Sequence, residues 1–265
     1  MNWKRIYIVL GITAVMLSSC GQYQKVLKTE DMAVKYEMAE KLYKQGDYSR
    51  AERLFSQIRS HYLGKPQGER ILYMLADTYY QKKNYLLAAT TYEKLVQQYP
   101  RSEKAEEAMF LEGKCYFIES PRYSLDQTDT YKAVDKLQNF IDYYPNSQYM
   151  REANNMMIEL LTKLQQKSFE IAKGYNKIKD YQAAIKALDN FLIENPGTTF
   201  KEEAMYLKLH SAYELAINSV ASKEKQRLQD AKLIYEGFVK NYPETHFKEK
   251  ADKMNSLIIK RINEL

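Results

Sequence analysis

Five stretches of the chain repeat one pattern of apolar and polar positions. They read "GDYSRAERLFSQI", "KNYLLAATTYEKLVQQYP", "TYKAVDKLQNFIDYYP", "DYQAAIKALDNFLIENP" and "RLQDAKLIYEGFVKNYP", and they align through Ala51, Ala88, Ala133, Ala184 and Ala231. Four residues on come Phe55, Tyr92, Leu137, Leu188 and Tyr235; seven on come Ile58, Leu95, Phe140, Phe191 and Phe238. Positions i, i+4 and i+7 share one helix face, so each stretch predicts an amphipathic helix with a single buried stripe. Pro100, Pro145, Pro196 and Pro243 stop four of the five; the first has Leu63 at that place and Pro66 soon after. After the prolines, Ser102, Ser147, Thr199 and Thr245 are expected to cap the next helix, Thr199 with Glu202 forming a capping box.

A partner helix precedes each of these segments. In repeats one, two and four a small residue stands twelve positions before the aligned alanine, at Ala39, Ala76 and Ala172. Three residues further come Leu42, Tyr79 and Tyr175; in the third repeat the equivalents are Gly113 and Tyr116. Small residues facing each other let two helices approach closely. The intervals between aligned alanines, 37, 45, 51 and 47 residues, suit helix pairs of tetratricopeptide type with several units stretched. The predicted fold is therefore all-α: a tetratricopeptide-like solenoid of about five helical hairpins plus a C-terminal helix. The expected units are 32–64, 68–100, 102–145, 148–196 and 200–243, within one domain over 32–265. A capping helix over 246–264 would close the end with Phe247, Ala251, Met254 and Ile258 on one stripe.

The first residues carry a different signal. Lys4 and Arg5 precede an apolar run from Ile6 to Leu17, then Ser18, Ser19 and Cys20. A basic start, a short apolar core and a small-residue exit make 1–19 an export signal, too short for a comfortable membrane span. "LSSC" matches a bacterial lipobox, with cleavage before Cys20 and lipid on its thiol. Residues 20–31 then form the lipidated N-terminus and a spacer. Gly21, in place of the aspartate that often retains lipoproteins at the inner membrane, favours the outer one.

Composition narrows the function classes. Of the residues 28% are charged and the net charge is +6 with both signs interspersed, the pattern of solvated helix faces and not of a phosphate-binding stripe, so no nucleic-acid partner is expected. With Cys20 assigned, Cys115 is alone and reads as a small buried hydrophobe. His61, His210 and His246 are too far apart in sequence for a ligand-spaced metal cluster, and no Gly-rich loop precedes a Lys-Ser or Lys-Thr pair. No cofactor, metal or catalytic residue is expected, and the chain reads as a binding protein. Of the 24 tyrosines, Tyr79, Tyr92, Tyr116, Tyr175 and Tyr235 fall on core positions. Tyr36, Tyr73 and Tyr80 stand off the stripe. With Lys82 and Lys83 of "YMLADTYYQKKNY" they are the candidate wall of a peptide groove.

These features together resemble the BamD family, the repeat-bearing lipoproteins of the β-barrel assembly machinery. The residues that carry the resemblance are "LSSC", the first two repeats, and above all "SPRYSLDQTDTYKAVDKLQNFIDYYPNS", with Ser120, Pro121, Asp126 and Gln127 before the third repeat's second helix. The style of "SLDQTDT" is similar to Bacteroidetes versions. The resemblance implies a non-enzymatic scaffold, lipid-anchored on the periplasmic side of the outer membrane. It implies binding of the insertase's POTRA domains through repeats four and five, 148–265, and of unfolded outer-membrane proteins through 32–117. Some relatives also bind further small lipoproteins. The alternative is another periplasmic repeat lipoprotein, an adaptor for cell-wall synthesis and division or for secretion or gliding. Such an adaptor would lack the "SPRYSLDQ" linker. A glycan-binding repeat lipoprotein would need large irregular insertions.

Overall fold

The computed structural model describes residues 21–265; the expected export signal at 1–19 and the expected lipidation site at Cys20 lie outside the described residues. All regular structure among the described residues is helical. After a helical segment at 21–28 come α1 (Met32–Lys44), α2 (Tyr48–Ile58), α3 (Pro66–Gln81), α4 (Tyr85–Gln98), α5 (Ala105–Glu119), α6 (Thr128–Tyr143), α7 (Met150–Lys177), α8 (Tyr181–Glu194), α9 (Lys201–Ile217), α10 (Ala221–Asn241) and α11 (Lys248–Glu264). Stacked helical hairpins followed by a single last helix give the all-α architecture that the periodicity predicts.

The chain divides into two compact units, where the sequence reading expects one domain. The first runs to Pro121 and includes Gln127–Leu160; the second comprises Arg122–Asp126 and Leu161–Leu265. The length of α7 is the reason. Its Ala153, Met156, Met157 and Leu160 join a first-unit core with Leu137 and Phe140, whereas its Phe169 and Ala172 join a second-unit core with Leu188, Phe191 and Ala204. Between Leu160 and Phe169 no residue of α7 is buried.

The repeat pattern sets the cores of both units. All five aligned alanines are fully buried, as are Phe55, Tyr92, Leu137 and Leu188 and the apolar residues from Ile58 to Phe238. Three expectations change. Tyr79 is only half-buried, packed against both cores of the first unit. Tyr235 is half-buried because its hydroxyl reaches out to Asp252 Oδ1 at 2.7 Å. Tyr175, expected on a core position, is 38% exposed; its neighbours Lys173 and Asn176 instead face α9, through Glu203 and Ser211. Residues 21–28, read as a spacer, form a helix that buries Tyr23 and Val26 against the first hairpin.

Within the first, second and fourth hairpins the turn is tight and has one fixed requirement. The residue five before the aligned alanine is left-handed: Gly46 at φ 76°, Lys83 at 61° and Lys179 at 65°. Glycine adopts this at no steric cost, and the two lysines do so under mild strain. The next residue is Asp47, Asn84 or Asp180, and both aspartates accept a backbone N–H of the following helix, from Arg50 and Ala183.

Between hairpins the proline forces its predecessor out of helical geometry. Tyr99, Tyr144, Asn195 and Tyr242 share φ of −124° to −135° and ψ of 63° to 70°. Two residues after the proline a hydroxyl accepts the N–H two further on: Ser102 from Lys104, Ser147 from Tyr149, Thr198 from Phe200 and Thr245 from Phe247. The fourth corner thus uses Thr198, not Thr199, because the Pro-x-Ser/Thr register is kept. Glu202 does not form the expected capping box. It takes the Thr245 hydroxyl at 2.5 Å, as Glu69 takes that of Ser102 at 2.5 Å and Glu106 that of Ser147 at 2.6 Å. At three of the four corners the hydroxyl therefore clasps the first turn of the preceding hairpin.

An ion cluster around the buried Glu112 ties α4, α5 and α6 together. Lys136 Nζ lies 2.8 Å from both Glu93 Oε1 and Glu112 Oε1. Burial pushes Glu112 up from 4.5 to about 6, and the hydrogen bond and charge of Lys136 offset only part of that. Burial also pulls Lys136 down, but its bonds to Glu112 and Glu93 outweigh it and the ammonium ends above its ordinary value. The folded Glu112 is thus the weaker acid, and its contribution to stability is lost as pH rises from 4.5 through 6. In Glu112→Gln this loss is absent. The stability of the variant relative to the parent should rise by about 2 kcal/mol between pH 4 and pH 7. Paired urea titrations at the two pH values measure it, and a constant difference would refute the assignment.

Candidate functional site

The first helices of the first unit's three hairpins, α1, α3 and α5, carry the candidate binding face. On α3 it is written at helical spacing: Arg70, Tyr73, Asp77 and Tyr80 lie at i, i+3, i+7 and i+10. A cleft of about 350 Å³ opens there, lined by Tyr43 and Lys44 of α1, by Glu69, Arg70, Tyr73 and Met74 of α3, and by Lys104 beside α5. Its size falls at the lower end of ligand pockets.

The aromatic walls are held from behind. Tyr43 donates its hydroxyl to Asp77 Oδ2 at 2.6 Å, and burial first, then this bond, raises its pKa. Tyr73 is raised by burial and then by the charge of the adjacent Glu107. Its ring packs edge-on against Tyr92 at 6.3 Å, and the Lys104 ammonium sits 4.8 Å from its centroid. Fixed tyrosines lose little freedom when a ligand arrives, which favours binding. The cations at the rim are more mobile. Arg70 pairs with Glu40, which Lys44 also approaches at 3.2 Å, and Lys104 pairs with Glu107 at 2.7 Å. The side chains of Lys44, Arg70 and Lys104 are 66%, 58% and 50% exposed, so all three can turn to an incoming anion.

Of the five groove residues expected from sequence, Tyr73 lines the cleft. Tyr36 stands beside it, 5.9 Å from Tyr62, with its pKa raised by burial and partly lowered by the Arg70 charge. Tyr80 lies two turns along α3, packed edge-on against Tyr85 at 5.4 Å. Lys82 and Lys83 are at the α3–α4 turn. Lys82 is paired with Glu52 of α2, and Lys83 is the left-handed turn residue. Sequence reasoning passed over Tyr43, Lys44, Arg70 and Lys104. Tyr43 was detectable as i+7 from Tyr36, and Arg70 as i−3 from Tyr73. Lys104 had no local signal, since α5 meets α3 only in the folded chain.

Among the described residues no group of three or more His, Cys, Asp or Glu side chains could hold a metal ion. The histidines are apart: His61 lies near Lys65, His210 is inside α9 and bonded to Asn176, and His246 is 3.5 Å from Glu202. Cys115 is fully buried and burial pushes its thiol up to about 12, which leaves it unreactive. No helix among the described residues is long and apolar enough to cross a membrane.

The model of one protein family, YfiO, described as an outer membrane lipoprotein, matches residues 28–187 and 165–264. The outer membrane protein assembly factor BamD of Pasteurella multocida is 23% identical over 233 residues, covering 84% of this chain and 89% of that protein. The Haemophilus influenzae protein of the same name is 22% identical, with the same coverage of both chains. The Vibrio cholerae one is 20% identical over 86% of this chain and 98% of its own length. Among solved structures, a putative kinesin light chain of nearly identical TPR-like repeats from Podosopora anserina covers 81% of this chain at 15% identity, with a TM-score of 0.33.

Proposed function

This chain belongs to the YfiO family of outer membrane lipoproteins, and from that premise we propose that it is a non-enzymatic scaffold in the assembly of outer-membrane β-barrel proteins. It is anchored by lipid on Cys20 to the periplasmic side of the outer membrane. Its first unit receives a segment of the unfolded barrel protein, and its repeats four and five, 148–265, hold the POTRA domains of the insertase. The names of the relatives, outer membrane protein assembly factors, support the role.

The observation that carries the reading is the cleft of α1, α3 and α5. It pairs rigid tyrosine walls with three exposed cations. That combination suits the end of an extended chain, whose apolar side chains meet Tyr43, Tyr73 and Met74 while its terminal carboxylate meets Arg70 or Lys104. An unfolded barrel strand has alternate apolar residues and supplies such an end.

Affinity isolation of the lipidated protein from solubilised outer membranes tests the reading. A POTRA-bearing barrel should remain bound. In the same preparation, Arg70→Glu should reduce crosslinking of an unfolded barrel protein at least fivefold while leaving the POTRA-bearing partner in place. Isolation without any such barrel removes the scaffold role, and undiminished crosslinking in R70E removes the cleft.

A further inference from the structure

The second unit has a groove of its own, outside the cleft just described. It lies between α8, α9 and α10, encloses about 390 Å³, and is lined by Leu192, Lys201, Met205, Lys208, Leu233, Ile234, Gly237 and Asn241. Its floor is aliphatic, and Leu233 stands 65% exposed.

Gly237 is the telling residue. It sits inside α10, where glycine is the poorest helix former after proline. Its φ is not left-handed, and a Cβ added there would meet nothing within 4 Å. Nothing inside the protein therefore requires glycine. In the second repeat the equivalent position, six after the aligned alanine, is Lys94. Glycine in a helix interior does allow the backbone of another element to come close.

Charge and hydrogen bonding specify the visitor. Lys201 and Lys208 border the groove, and Lys240 is one turn from Gly237. Lys208 is held by Asp189 at 2.5 Å, while Lys201 and Lys240 make no ion pair among the described residues. The acids next to Lys201 are engaged elsewhere: Glu202 by Thr245 and Glu203 by Lys173. The rim is thus positive. The walls are helices whose backbone groups are already bonded, and Asn241 donates its amide to Gly237 O at 2.7 Å. A visitor finds no backbone partners and must satisfy its own, as a helix does.

We infer that the groove over Gly237 is a docking surface for an amphipathic helix of a partner protein, apolar on the inserted face and acidic on its flanks. Aliphatic side chains at i, i+3 and i+7 enter between Leu192, Met205 and Ile234. The helix backbone passes over Gly237, and a flanking carboxylate meets Lys201.

The test uses the full chain and an 18-residue synthetic helix with leucines at i, i+3, i+4 and i+7 and glutamates on both flanks. A scrambled peptide of the same composition and a lysine-flanked version are the comparisons, and binding is read by fluorescence anisotropy. The acidic helix should bind at least tenfold more tightly than either comparison. Gly237→Leu, which occupies the groove, should weaken it at least tenfold with an equal or higher melting temperature. Lys201→Glu should weaken it at least threefold. The inference is overturned if G237L binds as the parent does, or if the scrambled peptide binds equally well. It is also overturned if sedimentation shows a dimer that G237L dissolves while the acidic helix does not bind, since the groove would then join two copies of this chain.

Discussion

Gly68→Ala should destabilise the first unit by about 2–3 kcal/mol, although a change from glycine to alanine inside a helix ordinarily stabilises. The reversal follows from what surrounds the site. Gly68 lies in the first turn of α3, and a Cβ there would come 2.2 Å from the Tyr62 carbonyl oxygen and 2.4 Å from the Tyr99 hydroxyl. Neither neighbour is free to yield. The Tyr62 carbonyl accepts the Lys65 N–H at 3.0 Å and closes the turn that enters α3. The Tyr99 hydroxyl accepts the Gly64 N–H at 3.0 Å, fixing the corner of one hairpin to the turn before it. Inserting one methyl group must break one of these contacts or shift α3, whose Arg70 and Tyr73 line the cleft. Hydrogen exchange of the α3 and α4 amides measures the loss. The companion Gly174→Ala, at a helical glycine with open space beside it, should gain up to about 1 kcal/mol. Equal protection of parent and G68A would show that the Tyr62–Lys65 turn moves at no cost.

Phe238→Ala should cost the second unit about 3–5 kcal/mol. Phe238 is fully buried seven residues after the aligned Ala231, in a cluster with Leu209, Ala251 and Met254. Its ring lies 6.3 Å from Tyr206 and 5.9 Å from Tyr242. The cluster holds α11 onto α9 and α10, so truncation removes contacts on three helices and leaves a cavity that a terminal helix fills poorly. Amide exchange in α11 should accelerate by two orders of magnitude or more, in line with that loss. Tyr235→Phe is the control. It deletes only the hydroxyl bonded to Asp252 at 2.7 Å and should cost about 1 kcal/mol. If F238A leaves α11 as protected as in the parent, the last helix is held by something other than this cluster.

The buried stripe of every second helix was legible because it is a local property. An alanine, an apolar residue four on and another seven on share a helix face whatever lies opposite. The corner hydroxyls were legible for a similar reason, since the proline sets the register; a one-residue slip from that register put the fourth cap on Thr199 in place of Thr198. The candidate site was legible only in part. Tyr73 could be picked out as an aromatic off the stripe. Lys82 and Lys83 look like neighbouring cations in the sequence, yet one is tied to Glu52 and the other forms the left-handed turn.

The sequence by itself therefore determined the all-helical hairpins, their buried faces, and the family resemblance that residues 28–264 then matched. Only the tertiary structure decided the division within α7, the clasp of three corner hydroxyls on glutamates 33 to 43 residues earlier, and the cleft assembled from three separate helices. The physical reason is range. Helical periodicity and turn chemistry act over a few neighbouring residues. Which side chains meet across hairpins depends on how closely the helices pack and on how each is rotated about its axis.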